Sequence, residues 1–262
     1  MLNQEPLPLI SVVLPVFNGA ATLDRALRSV AGQTFRDWEV LAVDDASNDE
    51  SANILQRWGA ADGRIRLFRL DENCGVSAAR NVAIQNARGR LVSYLDQDDE
   101  YYPDYLASLA RLGDTADVLM FRYDFVYEDG PVGQRPPGWD PGRLRQFLFA
   151  KRIVTPLGVA HRREWWQKVG GFNEAWCEED SDLWRRIARA GAKVDFLPLA
   201  SGRCHVHPDR ASRMPHVTPR QRKMFLKNWQ AGRPIYDDRN GKPGTSNQIL
   251  YGSPHPDPPN EP

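Results

Sequence analysis

Short apolar segments alternate with longer amphipathic segments from residue 9 to about residue 122. This alternation is typical of βα units, in which each helix crosses over between two parallel strands. Strands are predicted at 10–16, 39–43, 64–68, 91–95 and 118–121. Apolar residues at helical spacing predict helices at 22–30, 50–58, 76–87 and 103–112. The first half of the chain is therefore predicted to be an α/β, doubly wound nucleotide-binding fold.

The pattern becomes less regular after residue 122, where a segment rich in glycine and proline, GPVGQRPPGWDPG, predicts a loop. Beyond it we predict helices at 143–151, 162–169, 181–189 and 219–229 and a strand at 193–197. The proline-rich segment 243–262 is predicted to be disordered or to lie along the surface. These differences divide the chain into three predicted parts, 1–122, 123–213 and 214–262.

Composition argues against several classes of partner. Lysine plus arginine and aspartate plus glutamate both number 34, so no overall field attracts nucleic acid or an anionic membrane. The three cysteines, Cys74, Cys177 and Cys204, form no C-x-x-C pair that would suggest a zinc site or a redox couple. A reducing compartment is therefore favoured. Neither a signal peptide nor an apolar run of about 20 residues is found. We therefore expect a cytoplasmic location, with at most peripheral contact at the inner face of the membrane.

Three polar clusters each follow a predicted parallel strand. Phe17-Asn18-Gly19 follows the first strand, Asp44-Asp45-Ala46-Ser47 the second, and Asp96-Gln97-Asp98-Asp99 the fourth. Ligands of open α/β sheets bind outside the carboxyl ends of the strands, so these clusters are predicted to line one crevice. Five acidic side chains would then meet at one edge of the sheet.

Carboxylates gathered in one crevice raise each other's pKa values unless a cation compensates for their charge. Asp96-x-Asp98 presents two hard oxygen ligands, which favours Mg²⁺ or Mn²⁺ bridging a diphosphate over zinc. A different interpretation also stays open at this point. A lone D-x-D is common in surface turns, and residues 44–49 include good N-cap residues for the next helix.

Six segments in order resemble the family-2 glycosyltransferases of the GT-A fold, over residues 10–212. They are SVVLPVFN (11–18), QTFRDWEVLAVDDASND (33–49), NCGVSAARNVAI (73–84), ARGRLVSYLDQDDEYYPDYL (87–106), VGGFNEAWCEEDSDLWRRIARAG (169–191) and HPDRAS (207–212). The resemblance implies a mostly parallel central sheet with helices on both faces and a smaller C-terminal acceptor region. It also implies an inverting enzyme that moves a sugar from a nucleotide-diphosphate donor to a hydroxyl of a glycan or lipid-linked acceptor.

The resemblance assigns a set of residues to the nucleotide and the donor: Pro15, Val16, Phe17, Asn18, Asp44, Asp45, Arg80, Gln97 and Asp99. Asp45 would accept a pyrimidine N–H, which favours a UDP- or dTDP-linked donor because cytosine lacks that ring N–H. Arg80 would lie near the nucleotide, the alternative being an ion pair on the helix surface. Asp99 would contact the donor sugar or cap a helix starting at Pro103.

The resemblance also places the metal and the catalytic groups. Asp96 and Asp98 are predicted to hold Mn²⁺ or Mg²⁺, and His207 is a further candidate ligand, with His205 as its competitor. Asp180 is predicted to be the general base. The alternative for residues 178–182 is an acidic helix N-terminus, which is compatible with catalysis.

Two weaker assignments and the rival functions complete the prediction. Trp176 and Glu179 are candidate acceptor contacts. A nucleotidyltransferase is disfavoured because no basic glycine-rich loop follows the first strand. A haloacid-type phosphatase is disfavoured because its D-x-D nucleophile follows the first strand, whereas Asp96 follows the fourth. A non-catalytic nucleotide- or glycan-binding module of the same fold is the alternative that stays open.

Overall fold

The computed structural model describes residues 7–127, 133–135, 155–175, 179–206, 236–237 and 242–243. The predicted helices at 143–151 and 219–229, the proline-rich segment after residue 243, Trp176, Glu178 and His207 lie outside these residues. Within the parts of the chain so described, no helix is both long and apolar enough to span a membrane.

The described helices and strands follow the predicted alternation through the first half of the chain. The helices are α1 (Leu23–Ala31), α2 (Ser51–Ala61), α3 (Val76–Gln85), α4 (Tyr105–Leu112), α5 (Arg163–Val169) and α6 (Glu179–Arg189). The strands are β1 (Ile10–Val16), β2 (Trp38–Asp44), β3 (Ile65–Arg69), β4 (Leu91–Tyr94), β5 (Glu100–Tyr101), β6 (Val118–Tyr127), β7 (Gly133–Arg135), β8 (Val159–Arg162), β9 (Val194–Val206), β10 (Tyr236–Asp237) and β11 (Lys242–Pro243).

One large sheet has the strand order β3-β2-β1-β4-β8-β6-β9-β5, with β7 paired to β6. The neighbours β3, β2, β1 and β4 are parallel, and β1 and β2 are buried along their whole length. Their continuous apolar sequences are typical of strands covered on both faces. α1 buries Leu23, Ala26, Leu27 and Val30, an apolar stripe at helical spacing.

The second half of the sheet is mixed. The four-residue strand β8 pairs antiparallel with both β4 and β6, and β6 then pairs parallel with β9. Strand β8 was not predicted, because the sequence VAHR is too short to show strand periodicity. The mostly parallel sheet is confirmed for its first half, and in the second half β8 lies between β4 and β6.

Candidate active site

The crevice opens where β1 and β4 separate. Their ladder ends at Val13 and Tyr94, with a last hydrogen bond from the Leu95 N–H to the Val13 carbonyl at 3.0 Å. β1 nevertheless continues beside β2 as far as the pair Val16 and Asp44. Because the chain leaves β1 towards β2 on one side and β4 lies on the other, this gap is the topological switch point of the sheet. The three predicted polar clusters meet at this edge.

The loop after β1 is held by the loop after β2. The Asn18 N–H donates to Ser47 Oγ at 3.0 Å, and the Asn48 N–H donates to Asn18 Oδ1 at 2.9 Å. Asn18 has φ 49°, a left-handed conformation that asparagine tolerates better than most residues. The described contacts of Asn18 are therefore internal to the loops, whereas the neighbouring Phe17 is 43% exposed.

Asp44 and Asp45 are both 3% exposed. The two carboxylate oxygens of Asp45 accept the N–H groups of Cys74 and Gly75 at 2.7 and 2.8 Å, which fixes the start of α3. Asp44 Oδ1 accepts the Ser47 N–H at 3.0 Å, and its Oδ2 lies 3.5 Å from Arg69 Nε. Both aspartates thus build the walls of the crevice, and the contact of Asp45 with a nucleobase stays a prediction.

Asp96, Asp98 and Asp99 each offer a carboxylate oxygen, and these oxygens lie within 4.8 Å of one another. Several hard oxygen donors on one short loop suit Mg²⁺ or Mn²⁺. Asp99 is fully buried and accepts the His205 N–H at 3.0 Å, which ties β9 to this loop. α4 begins at Tyr105 with Asp104 at its N-cap position, so the suggestion that Asp99 caps a helix at Pro103 is wrong.

Gln97, the middle residue of this motif, contacts the backbone of Phe17 twice. The Phe17 N–H donates to Gln97 Oε1 at 2.8 Å, and Gln97 Nε2 donates to the Phe17 carbonyl at 2.9 Å. Sequence reasoning placed Gln97 among the donor-binding residues. In the structure its amide joins the loop of residues 96–99, here called the metal-motif loop, to the loop after β1.

Arg80 on α3 bridges two acidic groups that are distant in sequence. Its Nη2 donates to Asp96 Oδ1 and its Nη1 to Glu179 Oε1, each at 2.8 Å. Burial would lower the pKa of Arg80, but the charges of Asp96 and Glu179 raise it, so the guanidinium stays protonated. Because Arg80 is 3% exposed, the alternative of an ion pair on the helix surface is wrong.

The predicted base lies in the first turn of α6. Asp180 Oδ1 accepts the N–H of Ser181 at 2.6 Å, and Glu179 precedes it. Burial and the charge of Asp180 raise the pKa of Glu179 to about 7, although Arg80 opposes this shift. The acidic first turn suits the positive end of the helix dipole. Through Arg80, this turn is joined to the metal-motif loop.

Asn81, which sequence reasoning missed, holds the segment after α5. Its Nδ2 donates to the Phe172 carbonyl at 3.0 Å, and its Oδ1 accepts the Phe172 N–H at 2.8 Å. Gly170 and Gly171 have φ 81° and 75°, a conformation that favours glycine. Two adjacent glycines after a predicted helix signal this turn, but nothing in the sequence indicates its partner Asn81.

Two of the described tryptophans near the predicted base, Trp184 and Trp166, have structural contacts. Trp184 is 3% exposed and packs against Tyr94 with ring centroids 5.4 Å apart, so it belongs to the core. Trp166 Nε1 donates to Asn81 Oδ1 at 3.3 Å.

His205, the competitor of His207 as a metal ligand, contacts a carboxylate outside the metal-motif loop. Its Nε2 lies 3.0 Å from Glu100 Oε1, and burial lowers the pKa of this histidine.

Residues 11–170, more than half of the chain, match the family model described as glycosyl transferase family 2. Residues 149–209 match a second model, described as N-terminal domain of galactosyltransferase. The two matches together extend over the crevice, the metal-motif loop and the first turn of α6.

Curated relatives are similar over different shares of the chain. A putative teichuronic acid biosynthesis glycosyltransferase, TuaG of Bacillus subtilis (strain 168), is 40% identical over 99 residues, which is 38% of this chain and 39% of the relative. The uncharacterized glycosyltransferase RP339 of Rickettsia prowazekii (strain Madrid E) is 34% identical over 212 residues, 76% of this chain and 64% of the relative. The chain thus spans less than two thirds of the length of either relative.

Solved structures share the fold. S. aureus TarS 1-349 in complex with UDP-GlcNAc has a TM-score of 0.69 at 22% identity, covering 83% of this chain and 63% of that chain. The mannosyltransferase PcManGT from Pyrobaculum calidifontis, in complex with GDP-Man and Mn²⁺, has a TM-score of 0.63 at 21% identity, covering 87% and 67%. At this level of identity the comparison supports the fold alone.

Proposed function

Because the chain belongs to glycosyl transferase family 2, whose members are glycosyltransferases, we propose that it transfers a sugar with inversion from a nucleotide-diphosphate donor to an acceptor hydroxyl. The proposed donor is UDP- or dTDP-linked. The proposed acceptor is a hydroxyl of a glycan or of a lipid-linked saccharide. The rival proposal is a nucleotide- or glycan-binding module without activity.

The single observation that carries this proposal is the position of Arg80. Its guanidinium holds Asp96 of the metal motif and Glu179 of α6, which are 16 and 99 residues away in the chain. Asp180 is adjacent to Glu179, so Arg80 links the turn that carries the candidate base to the candidate metal site. A binding module has no need to bring these two groups together.

We assign the divalent cation to the loop of residues 96–99. Asp96 and Asp98 are the proposed ligands, and His207 is retained as a further candidate. A bound Mn²⁺ or Mg²⁺ would supply positive charge to the diphosphate as it leaves. The complex of PcManGT with GDP-Man and Mn²⁺ supports a metal of this kind in the same fold.

We assign the nucleoside to the gap between β1 and β4, beside the residues that follow β1 and β2. The exposed ring of Phe17 and the carboxylate of Asp45 border this space. A carboxylate has about four lone-pair sites and can accept several hydrogen bonds, which suits Asp45 to accept a nucleobase N–H. The complexes of TarS with UDP-GlcNAc and of PcManGT with GDP-Man support a nucleotide sugar in this fold, and the choice of a pyrimidine rests on Asp45.

In the proposed reaction the acceptor oxygen attacks the anomeric carbon on the face opposite the diphosphate. The bond from that carbon to the diphosphate oxygen breaks, and the nucleoside diphosphate leaves with the electron pair. The Asp180 carboxylate takes the proton of the acceptor hydroxyl. A positioned base of this kind contributes roughly 10²- to 10⁴-fold in rate.

The test measures donor consumption and transfer for a panel of UDP-, dTDP- and GDP-sugars with Mn²⁺, in the wild type and in Asp180→Asn. We expect Asp180→Asn to lose at least about 100-fold in turnover while it keeps its affinity for the donor. Asp195→Asn is the matched control, because Asp195 Oδ1 also accepts the N–H of the next residue, at 2.8 Å, but lies on β9.

Two results would count against the proposal. Near-normal turnover by Asp180→Asn would remove the base assignment. Nucleotide binding without consumption of any donor in the wild type would favour the binding module.

A further inference from the structure

The loops after β1 and β4 border the gap where the sheet ladder between these strands has ended. Beyond the hydrogen bond from Leu95 to Val13, the backbones of β1 and β4 no longer pair. In the proposed function the first loop receives the nucleoside and the second receives the cation. Productive binding of a nucleotide sugar requires both loops to hold a fixed distance from each other.

Gln97 spans this gap. Its amide uses one donor and one acceptor on the two backbone polar groups of a single residue, Phe17, at 2.9 and 2.8 Å. A two-point contact fixes orientation as well as distance. We propose that Gln97 is a positioning residue that makes the two loops one unit, so that a divalent cation bound at residues 96–98 orders the loop after β1 for the nucleoside.

Gly19 supplies an independent observation for this pairing. A Cβ built on Gly19 would overlap the Oε1 and Cδ atoms of Gln97. Gly19 is absent from the residues with positive φ, so its backbone conformation does not require glycine. The absence of a side chain at position 19 therefore makes room for the Gln97 amide.

Both hydrogen bonds are solvent-exposed. Each hydrogen bond of this kind contributes little to stability, so their loss leaves the protein folded. A role in global stability and a role in positioning are thus separable by experiment. The proposal rests on the proposed function, because it assumes that the cation binds at residues 96–98.

The experiment measures amide hydrogen exchange of the full chain with and without Mn²⁺ alone, comparing peptides that cover residues 14–20 and 94–101. In the wild type we expect Mn²⁺ to slow exchange in both peptides, by about 5-fold or more in the first, the lower end of typical coupling between sites. In Gln97→Met we expect slowing at 94–101 to persist and slowing at 14–20 to fall below about 2-fold.

Gly19→Ala should reproduce the Gln97→Met result, because it displaces the amide without removing it. The matched controls are Gln56→Met, at an exposed glutamine of α2, and Gly63→Ala, where an added Cβ meets nothing within 4 Å. Both controls should exchange like the wild type with Mn²⁺. If Gly19→Ala keeps the wild-type slowing of exchange at 14–20, Gln97 does not couple the cation site to the loop after β1.

A second readout uses uridine, which lacks the diphosphate that the cation is proposed to bind. Mn²⁺ should raise uridine affinity about 5-fold in the wild type and leave it unchanged in Gln97→Met. Coupling that survives in Gln97→Met, or slowing confined to residues 94–101 in the wild type, would overturn this inference. The absence of any Mn²⁺ effect at 94–101 would instead contradict the metal assignment of the proposed function.

Discussion

Asn81 and Phe172 form a pair in which one side-chain amide satisfies both polar groups of a backbone residue, at 3.0 and 2.8 Å. Asn81 follows Arg80 on α3, whose guanidinium reaches the metal motif and α6. One helix therefore positions the segment that leads towards the first turn of α6 as well as the acidic groups of the crevice. The start of this helix is fixed in turn by Asp45.

Replacing Asn81 by leucine should loosen the segment after α5. The Phe172 N–H and carbonyl would lose their partner, which costs about 1 to 3 kcal/mol for partly buried groups. We expect faster hydrogen exchange in a peptide covering residues 170–175. Asn86→Leu is the control, because Asn86 at the C-cap of the same helix is exposed and its side chain donates to the Val82 carbonyl of its own turn. Equal exchange in the two variants would refute the role of Asn81.

Replacing Arg80 by methionine should destabilise the metal-free protein by about 3 to 5 kcal/mol, because Asp96 and Glu179 lose their shared buried partner. Urea denaturation measures this loss. Arg90→Met is the matched control, since the side chains of Arg90 and its partner Asp114 are 48% and 72% exposed. An exposed pair contributes roughly 0 to 1 kcal/mol. Similar losses of unfolding free energy in both variants would show that the Arg80 bridge stabilises the protein no more than an exposed ion pair does.

Stability of the metal-free protein should depend on pH through Glu179, whose pKa is raised from 4.5 to about 7. A raised carboxyl pKa means that the folded state binds the proton more tightly than the unfolded state. The stabilisation is complete below about pH 4.5 and is lost as the pH rises through about 7.

The comparison with Glu179→Gln isolates this dependence, because glutamine does not titrate. The unfolding free energy of the wild type relative to the variant should fall between about pH 5 and pH 8 by up to about 3 kcal/mol. Glu164→Gln, at an exposed position of α5, should leave the pH profile unchanged. A difference that is flat or that rises with pH would contradict the assignment.

Asp98→Ala should abolish the effect of Mn²⁺ on donor binding. In the wild type, a ligand at 100 times its dissociation constant stabilises the folded state by about 2.7 kcal/mol, which a thermal-shift assay with UDP and Mn²⁺ detects. The variant should show little shift with UDP and no increase on adding Mn²⁺. Asp114→Ala, at an exposed aspartate, serves as the control. A full Mn²⁺-dependent shift in Asp98→Ala would exclude this residue as a ligand.

The fold of the first half was predictable because its signals are local. β1 and β2 are continuous apolar strands, and α1 has an apolar stripe at helical spacing. The polar residues after β1, β2 and β4 then had to meet, since parallel strands end at the same edge of a sheet. Strand β8 was missed because it is short and its direction depends on the partners β4 and β6 rather than on its own sequence.

The sequence by itself determined the order of the βα units, the location of the crevice and the acidic residues that line it. Only the tertiary structure decided which side chains hold these parts together: Arg80 between Asp96 and Glu179, and Gln97 on the backbone of Phe17. The physical reason is that apolar periodicity acts over a few neighbouring residues. A hydrogen bond between residues 80 or 99 positions apart depends on where the whole sheet places two backbones, and no local pattern encodes that distance.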